Sequence, residues 1–328
     1  MSTGLPERMP RLLADIGGTN ARFALHRDGR VEQVRVLRCA DFPGVADAML
    51  AYLRAAGAEG VRHAAIGIAT PVGTDQVHMT NHNWSFSIAA TREALGLQTL
   101  LVINDFTALA LALPDLPADG LLRVGPPAQA DALAPRAVIG PGTGLGVGAL
   151  VPDGRRFIAL AGEGGHVSFS PIDEREVALW RFARARHGHV SAERLLCGSG
   201  LQLIHDWLCA ESGRGSAGAD AAAITGAALE HADATSVEAL AVFCRLLGTA
   251  AGNLALTVGA RGGVYLGGGI VPRFAEFFAA SGFRARFEDK GRFQPYLAAI
   301  PTYLIRDPWP GLRGVARALA DALEQTDA

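Results

Sequence analysis

The sequence predicts an α/β protein built as two lobes, and three observations carry that prediction. Two glycine turns of one design, at Gly17–Thr19 and Gly142–Gly144, each lie between short apolar runs. After each turn the chain alternates strand-like with helix-like segments, the signature of an α/β protein. With 328 residues the chain is long for one core and comfortable for two.

The elements follow in order. "RLLADI" and "RFALHR" flank the first turn and read as a strand pair, whose glycines would supply the positive φ of a tight hairpin. "DFPGVADAMLAYLRAAG" is helical, with Asp41 placed to cap, Pro43 early and Gly57 as the stop. "HAAIGIA" and "TLLVI" are short buried strands, the second running directly into the helical "DFTALALAL". The stretch "LPDLPADGLLRVGPPAQADALAP", rich in Pro, Gly and Asp, sets a lobe boundary near residues 110 to 135. Beyond it "AVIGPGTGLGVGALV" repeats the strand–turn–strand design, which suggests two lobes of related topology. "DEREVALWRFARARHG" carries an Asp-x-x-Glu cap signal, and "TSVEALAVFCRLLGTAAGNLALTVG" is a long apolar helix that should cross a core. "GGVYLGGGIVPRFAEFF" reads as strand, three glycines and a new helix with Pro272 near its start. "AIPTYLI" and "GLRGVARALADALEQ" close the chain as strand and helix. The expected division is a first lobe over residues 1–115, joined by the final helix at 311–328, and a second lobe over 116–310.

Composition narrows the function classes. Thirty basic against 32 acidic residues leave a formal charge of −2, which offers no footprint for nucleic acid or an anionic membrane. Cys39, Cys197, Cys209 and Cys244 have no CxxC or zinc-like spacing and read as buried thiols in a reducing compartment. "MSTGLPERMPRLL" lacks the apolar core of a signal peptide. "LLGTAAGNLALTVGA", bounded by Arg245 and Arg261, reads as too short for a bilayer, which takes about 20 residues. A cytoplasmic protein is expected. The anomaly is 40 glycines, against about 7% in average usage, gathered between apolar runs where backbone approaches something closely.

Two opposed glycine turns make sense if a polyphosphate lies between them, since turn N–H groups form concave anion sites. Neither is a Walker loop, because GxxxxGK[ST] is absent. Asp15 either bonds its own turn or holds the hydration shell of Mg²⁺ beside the phosphates. The three glycines Gly267, Gly268 and Gly269 serve a close strand–helix contact or receive a flat ring or phosphate. Asn104 and Asp105 open a helix, so they read as caps, or Asp105 accepts the proton of a sugar hydroxyl. Glu163 and His166 in "GEGGHVSF", with Glu193 in "HVSAERLLCGSG", are either structural or the donor and acceptor set that a polyhydroxylated sugar requires.

The segments "LADIGGTNARFAL", "TNHNWSFSI", "INDFTALA", "IGPGTGLGVG", "GEGGHVSF", "SAERLLCGSGL" and "GGVYLGGGIVPR" resemble the bacterial glucokinase family, in order and over nearly the whole chain. The resemblance implies the hexokinase/actin-like fold, two ribonuclease-H-like lobes around a nucleotide and sugar cleft. It implies that Ala14, Asp15, Ile16, Gly17, Gly18 and Thr19 form the first phosphate loop and Gly142, Thr143 and Gly144 the second. Gly267, Gly268 and Gly269 would lie near adenosine. Asn104, Asp105, Glu163, His166 and Glu193 would hold glucose, with Asp105 as the base. ATP and Mg²⁺, the latter reached by Asp15 through water, are the implied cofactors, and a homodimer the implied assembly. The related repressor and sugar-kinase family carries a histidine-plus-cysteine zinc cluster whose cysteines are missing here, so no zinc is expected. Ser199 in "CGSG" stands where the family has a proline, a small departure in a loop. The implied reaction is ATP-dependent phosphorylation of D-glucose at its 6-hydroxyl. The alternatives are a kinase for mannose or an amino sugar, and a non-catalytic sugar-sensing regulator, which would want a DNA-binding module that ten leading residues do not supply. An actin-like filament or chaperone ATPase would have no use for Glu163, His166 and Glu193.

Overall fold

Leu12, Ala14 and Ile16 pack to one side of the first strand and Leu13 to the other, all fully buried. A strand buried on both faces needs cover on both. Met49, Tyr52 and Leu53 of the helix Val45–Ala56 cover one side, and Leu312, Val315 and Leu319 of the C-terminal helix cover the other. The computed structural model describes residues 9–154, 156–215 and 218–326. Its chain divides into two compact units, one reaching to Leu116 and resuming at Pro308, the other spanning Pro117–Asp307.

The first unit runs β1 (Arg11–Ile16), β2 (Asn20–Arg27), β3 (Arg30–Arg38), α1 (Val45–Ala56), β4 (His63–Ile68), β5 (Gln76–His78), β6 (Ser85–Ser87), α2 (Ile88–Ala94), β7 (Thr99–Asn104) and α3 (Asp105–Ala112). Its main sheet has the order β3-β2-β1-β4-β7, antiparallel through the first three strands and parallel from β1 onward.

The second unit runs β8 (Leu121–Val124), β9 (Arg136–Pro141), β10 (Leu145–Pro152), β11 (Phe157–Ala161), α4 (Glu174–His187), α5 (Ala192–Leu195), α6 (Gly198–Glu211), α7 (Ala221–Leu229), α8 (Ala234–Val258), β12 (Val264–Leu266), α9 (Ala275–Ala280), α10 (Phe283–Glu288), α11 (Gln294–Ala298) and β13 (Thr302–Ile305). Helix α12 (Pro310–Thr326) then belongs to the first unit. The second sheet has the order β11-β10-β9-β12-β13-β8. Its first five strands repeat the first sheet in order and direction, with β8 added antiparallel at the edge. The likeness of the two glycine turns is therefore a likeness of whole sheets.

Local signals explain most element ends. Asn104, Asp173 and Asp233 cap α3, α4 and α8 through their side-chain oxygens, and Gly57 ends α1 at φ 63°. Asp41 does not cap. It sits in a 3-10 turn, and α1 begins only after Gly44. Pro43 is the reason: it forces Phe42 into the extended conformation seen there, φ −130° and ψ 143°, which separates Asp41 from the helix. A 3-10 turn, Val271–Phe274, likewise replaces the helix expected to follow the three glycines, and α9 starts after it.

Helix α8 corrects a length expectation. Arg245 lies inside it rather than at its end, so the helix has 25 residues, and its most apolar stretch has a mean hydropathy of 1.6. That is long and apolar enough to cross a membrane, yet 67% of the stretch is buried within the protein. Leu240, Phe243, Leu247 and Ala251 make it the central helix of the second core. In the first unit α12 lies on α3, with Gly314 over the Ala108 carbonyl so closely that a Cβ there would stand 1.7 Å from the oxygen.

Candidate active site

The parallel run of β1, β4 and β7 gathers whatever follows those strands at one edge of the first sheet, where open α/β sheets hold ligands. Gly17–Thr19 follow β1, Ala69 and Thr70 follow β4, and Asp105 follows β7. Ala14 and Ile16 put their side chains in the core, so only their backbone reaches this edge. The turn is tied down from three sides. Gly17 N–H donates to Asn20 O at 3.0 Å, Cys39 N–H to Thr19 O at 2.9 Å, and the Cys39 thiol to Gly17 O at 3.4 Å.

Neither Gly17 nor Gly18 adopts a positive φ, nor do Gly142 and Gly144. The positive-φ rationale therefore fails for all four, and for Gly18 and Gly144 close approach replaces it. A Cβ on Gly18 would lie 3.0 Å from Asn81 Cβ and 3.1 Å from its carbonyl oxygen. One on Gly144 would lie 2.4 Å from Glu193 Oε2, and one on Gly165 would fall on the Leu145 carbonyl.

Asp15 stands opposite Arg22 in the hairpin register, with 3.7 Å between carboxylate and guanidinium and 23% of its side chain exposed. Burial pushes its carboxyl above the ordinary range, and Arg22 draws it partly back. Gly311 in the first turn of α12 leaves room for that carboxylate, since a Cβ there would come within 2.8 Å of its carbon.

Asn104 has every hydrogen-bonding position engaged. Its Oδ1 accepts from Phe106 N–H at 2.9 Å and Thr107 N–H at 3.1 Å; its Nδ2 donates to Thr70 O at 3.3 Å and Asp105 Oδ1 at 3.0 Å. The same Oδ1 of Asp105 accepts from Phe106 N–H at 2.9 Å. Asn104 therefore orients Asp105, and reaching a ligand would cost it one of those bonds.

In the second unit the parallel pair β9 and β12 places the other two glycine clusters side by side. Gly267 N–H donates to Ile139 O at 2.9 Å, and Gly268, at φ 77°, packs against the Pro141 carbonyl. Gly142 N–H closes the turn on Gly144 O at 2.7 Å. With Gly17 and Gly142 so engaged, the turn N–H groups without a hydrogen-bond partner among the described residues are those of Gly18, Thr19, Thr143 and Gly144. Each turn thus offers two adjacent donors to an anion.

Glu193, in α5, joins the second turn to His166. Its Oε2 accepts from Leu145 N–H at 2.9 Å, and its Oε1 lies 3.8 Å from His166 Nδ1. His166 closes a 3-10 turn (Gly164–His166) with 62% of its side chain exposed; Glu163 precedes that turn, also exposed, and among the described residues only its carbonyl bonds, to His166 N–H at 3.0 Å. The structure thus joins His166 and Glu193, and sets Glu163 beside them in sequence without a side-chain bond. Ser199 pairs with Cys197 in the first turn of α6, 3.1 Å between Oγ and Sγ.

A family model described as Glucokinase matches residues 12–322. The chain belongs to the glucokinase family. A glucokinase of Chromobacterium violaceum is 60% identical over 324 residues, 98% of this chain and 93% of its own length. A glucokinase of Neisseria meningitidis serogroup C is 53% identical over 315 residues, 96% of either chain. The crystal structure of a glucokinase from an Antarctic psychrotroph superposes with a TM-score of 0.86 at 35% identity, over 95% of this chain and 99% of that one. The α/β fold expected from the resemblance is the one found. Cys39 and Gly311 lie outside the glucokinase-type motifs, and Arg22 and Asn81 lie inside them without having been given a role. Only Arg22 had a readable signal, its place opposite Asp15 in a hairpin register.

Proposed function

We propose that the chain transfers the γ-phosphoryl group of ATP to the 6-hydroxyl of D-glucose in the cytoplasm, as a homodimer. The observation that carries this reading is Glu193, whose carboxylate grips the second glycine turn and meets His166. Anion donors and sugar-type partners thereby share one rigid neighbourhood. The identity of 60% to a glucokinase supports glucose and ATP as the substrate pair.

Gly18, Thr19, Thr143 and Gly144 would hold the phosphates through their N–H groups, and Gly267–Gly269 would border the adenosine. Asn104, Asp105, Glu163, His166 and Glu193 would bind the sugar. Asp105 takes the proton as the 6-oxygen attacks phosphorus; the new O–P bond forms as the bond to the β-phosphate oxygen breaks, leaving ADP. Its place in the first turn of α3, where the helix favours negative charge, keeps the carboxylate ready to accept. Asn104 holds that carboxylate in position.

The residues present fit Mg²⁺. Asp15, two residues before the first glycine turn, would supply a carboxylate beside its phosphate donors. Mg²⁺ is bound in that manner, by one or two carboxylates with phosphate and retained water. When bound it neutralises charge on the β- and γ-phosphates.

Asp15→Ala is expected to lower turnover and weaken the dependence on Mg²⁺ without unfolding the chain, because the carboxylate's burial is itself a cost. Titration of Mg²⁺ at fixed ATP checks this, and unchanged turnover would reduce Asp15 to a turn residue. The reading as a whole is tested with a panel of sugars and donors in a coupled assay. Melting curves with glucose and with galactose, which differs at the 4-hydroxyl, accompany it. Glucose alone is expected to raise the melting temperature, and Glu193→Gln or His166→Ala to reduce that gain. Equal gains with both sugars favour another hexose as substrate, and binding without turnover favours a sugar sensor.

A further inference from the structure

The first glycine turn is held by a residue that lies well outside it in sequence. Strands β2 and β3 pair with Asn20 opposite Arg38, so the residue after β3, Cys39, arrives beside Thr19. Its N–H donates to Thr19 O at 2.9 Å, which extends the ladder by one bond, and its buried thiol reaches on to Gly17 O at 3.4 Å. Cys39 is itself fixed from the far side. It opens the 3-10 turn Cys39–Asp41, Phe42 N–H closes that turn on Cys39 O at 3.2 Å, and Trp84 Nε1–H holds Phe42 O at 3.1 Å. Burial pushes the thiol above its ordinary range, so it keeps the proton it donates.

The facing of a peptide unit decides where its N–H points. In a planar trans peptide the C=O and the N–H point in opposite directions. Gly17 O and Gly18 N–H belong to one such unit, so a carbonyl turned toward Cys39 turns the Gly18 N–H away from it. That N–H is one of the donors without a hydrogen-bond partner among the described residues. The two glycines do not enforce this facing themselves, since without a Cβ the torsions on either side of the unit rotate easily. With no donor at position 39 the unit is free to flip, and a flipped unit shows an anion a carbonyl oxygen in place of an N–H.

We infer that Cys39 is a positioning residue for the nucleotide: its thiol sets the Gly17–Gly18 peptide so that the Gly18 N–H faces the phosphates. Cys39 touches neither ATP nor sugar and acts through the turn. The role rests on the reading of this turn as a phosphate site.

The donor matters here rather than the sulfur, so serine should replace cysteine and alanine should not. Cys39→Ala is expected to weaken ATP binding about tenfold, the worth of one hydrogen bond to a charged group. The loss should show both in Kd for ATP by calorimetry without sugar and in KM for ATP, with KM for glucose unmoved. Cys39→Ser, whose hydroxyl donates to the same carbonyl, should bind ATP as the wild type does. If the alanine variant fails to fold, Cys39→Thr and Cys39→Val, alike in shape and different in the hydroxyl, carry the same comparison. A cysteine that only fills the core would lower the melting temperature and leave ATP affinity alone. Unchanged affinity in the alanine variant, or equal losses in alanine and serine, overturns the role. ATP binding that follows these variants in a chain that does not phosphorylate glucose upholds the role and overturns the glucose reading. A wild type that binds no ATP overturns both.

Discussion

Asp105→Asn is expected to cut turnover by about 10²–10⁴-fold, the usual contribution of a general base, while glucose binding is nearly kept. The local structure makes this a clean test. Asp105 Oδ1 accepts from Asn104 Nδ2 at 3.0 Å and from Phe106 N–H at 2.9 Å, and a carbonyl oxygen in its place accepts both. The capping of α3 by Asn104 is untouched, since its Oδ1 bonds to Phe106 and Thr107 do not involve Asp105. What is lost is the capacity to take a proton. Steady-state kcat and the melting shift with glucose should therefore separate, the first collapsing and the second persisting. Turnover within a few-fold of wild type would remove Asp105 from the base role.

Gly314→Ala is expected to cost about 3 kcal/mol or more of stability in the first unit, at the upper end of overpacking penalties. The added carbon would stand 1.7 Å from the Ala108 carbonyl oxygen and 2.4 Å from its carbon, and neither is a flexible side chain that can step aside. Helices α12 and α3 must separate, which uncovers Leu312, Val315 and Leu319 and the Leu13 face of β1. Denaturant unfolding followed by circular dichroism measures the loss. A midpoint equal to wild type would mean that the helices slide past the clash at no cost. Because α3 carries Asp105, a folded remnant of the variant should also turn over poorly.

The sequence made the sheets and the caps legible because both are local. A short apolar run marked β1, the pairing of β1 with β2 followed from a short turn, and Asn104, Asp173 and Gly57 act on neighbours a few residues away. It did not identify the partners that depend on distant neighbours. Gly18, Gly144, Gly165 and Gly314 are glycine because Asn81, Glu193, Leu145 and Ala108 come close, and no local pattern announces that. Asp41 was misplaced for a local reason, the restriction that Pro43 puts on Phe42. At the site, residue types and spacing pointed to Asp15, Asp105, His166 and Glu193. The division of labour between Asn104 and Asp105 needed the geometry of one carboxamide.

The bond from Leu145 to Glu193 bears on how such an enzyme diversifies. If the proposed roles hold, one carboxylate answers to two clients, the sugar on one oxygen and the nucleotide's turn on the other. A lineage adapting to a new hexose cannot freely replace Glu193, since a change that suits the sugar slackens the grip on ATP. Specificity is then free to drift through Glu163, which bears no such second duty. Directed evolution for altered sugar preference should accumulate substitutions there and leave Glu193 unchanged, whereas selection on the nucleotide alone should hit neither.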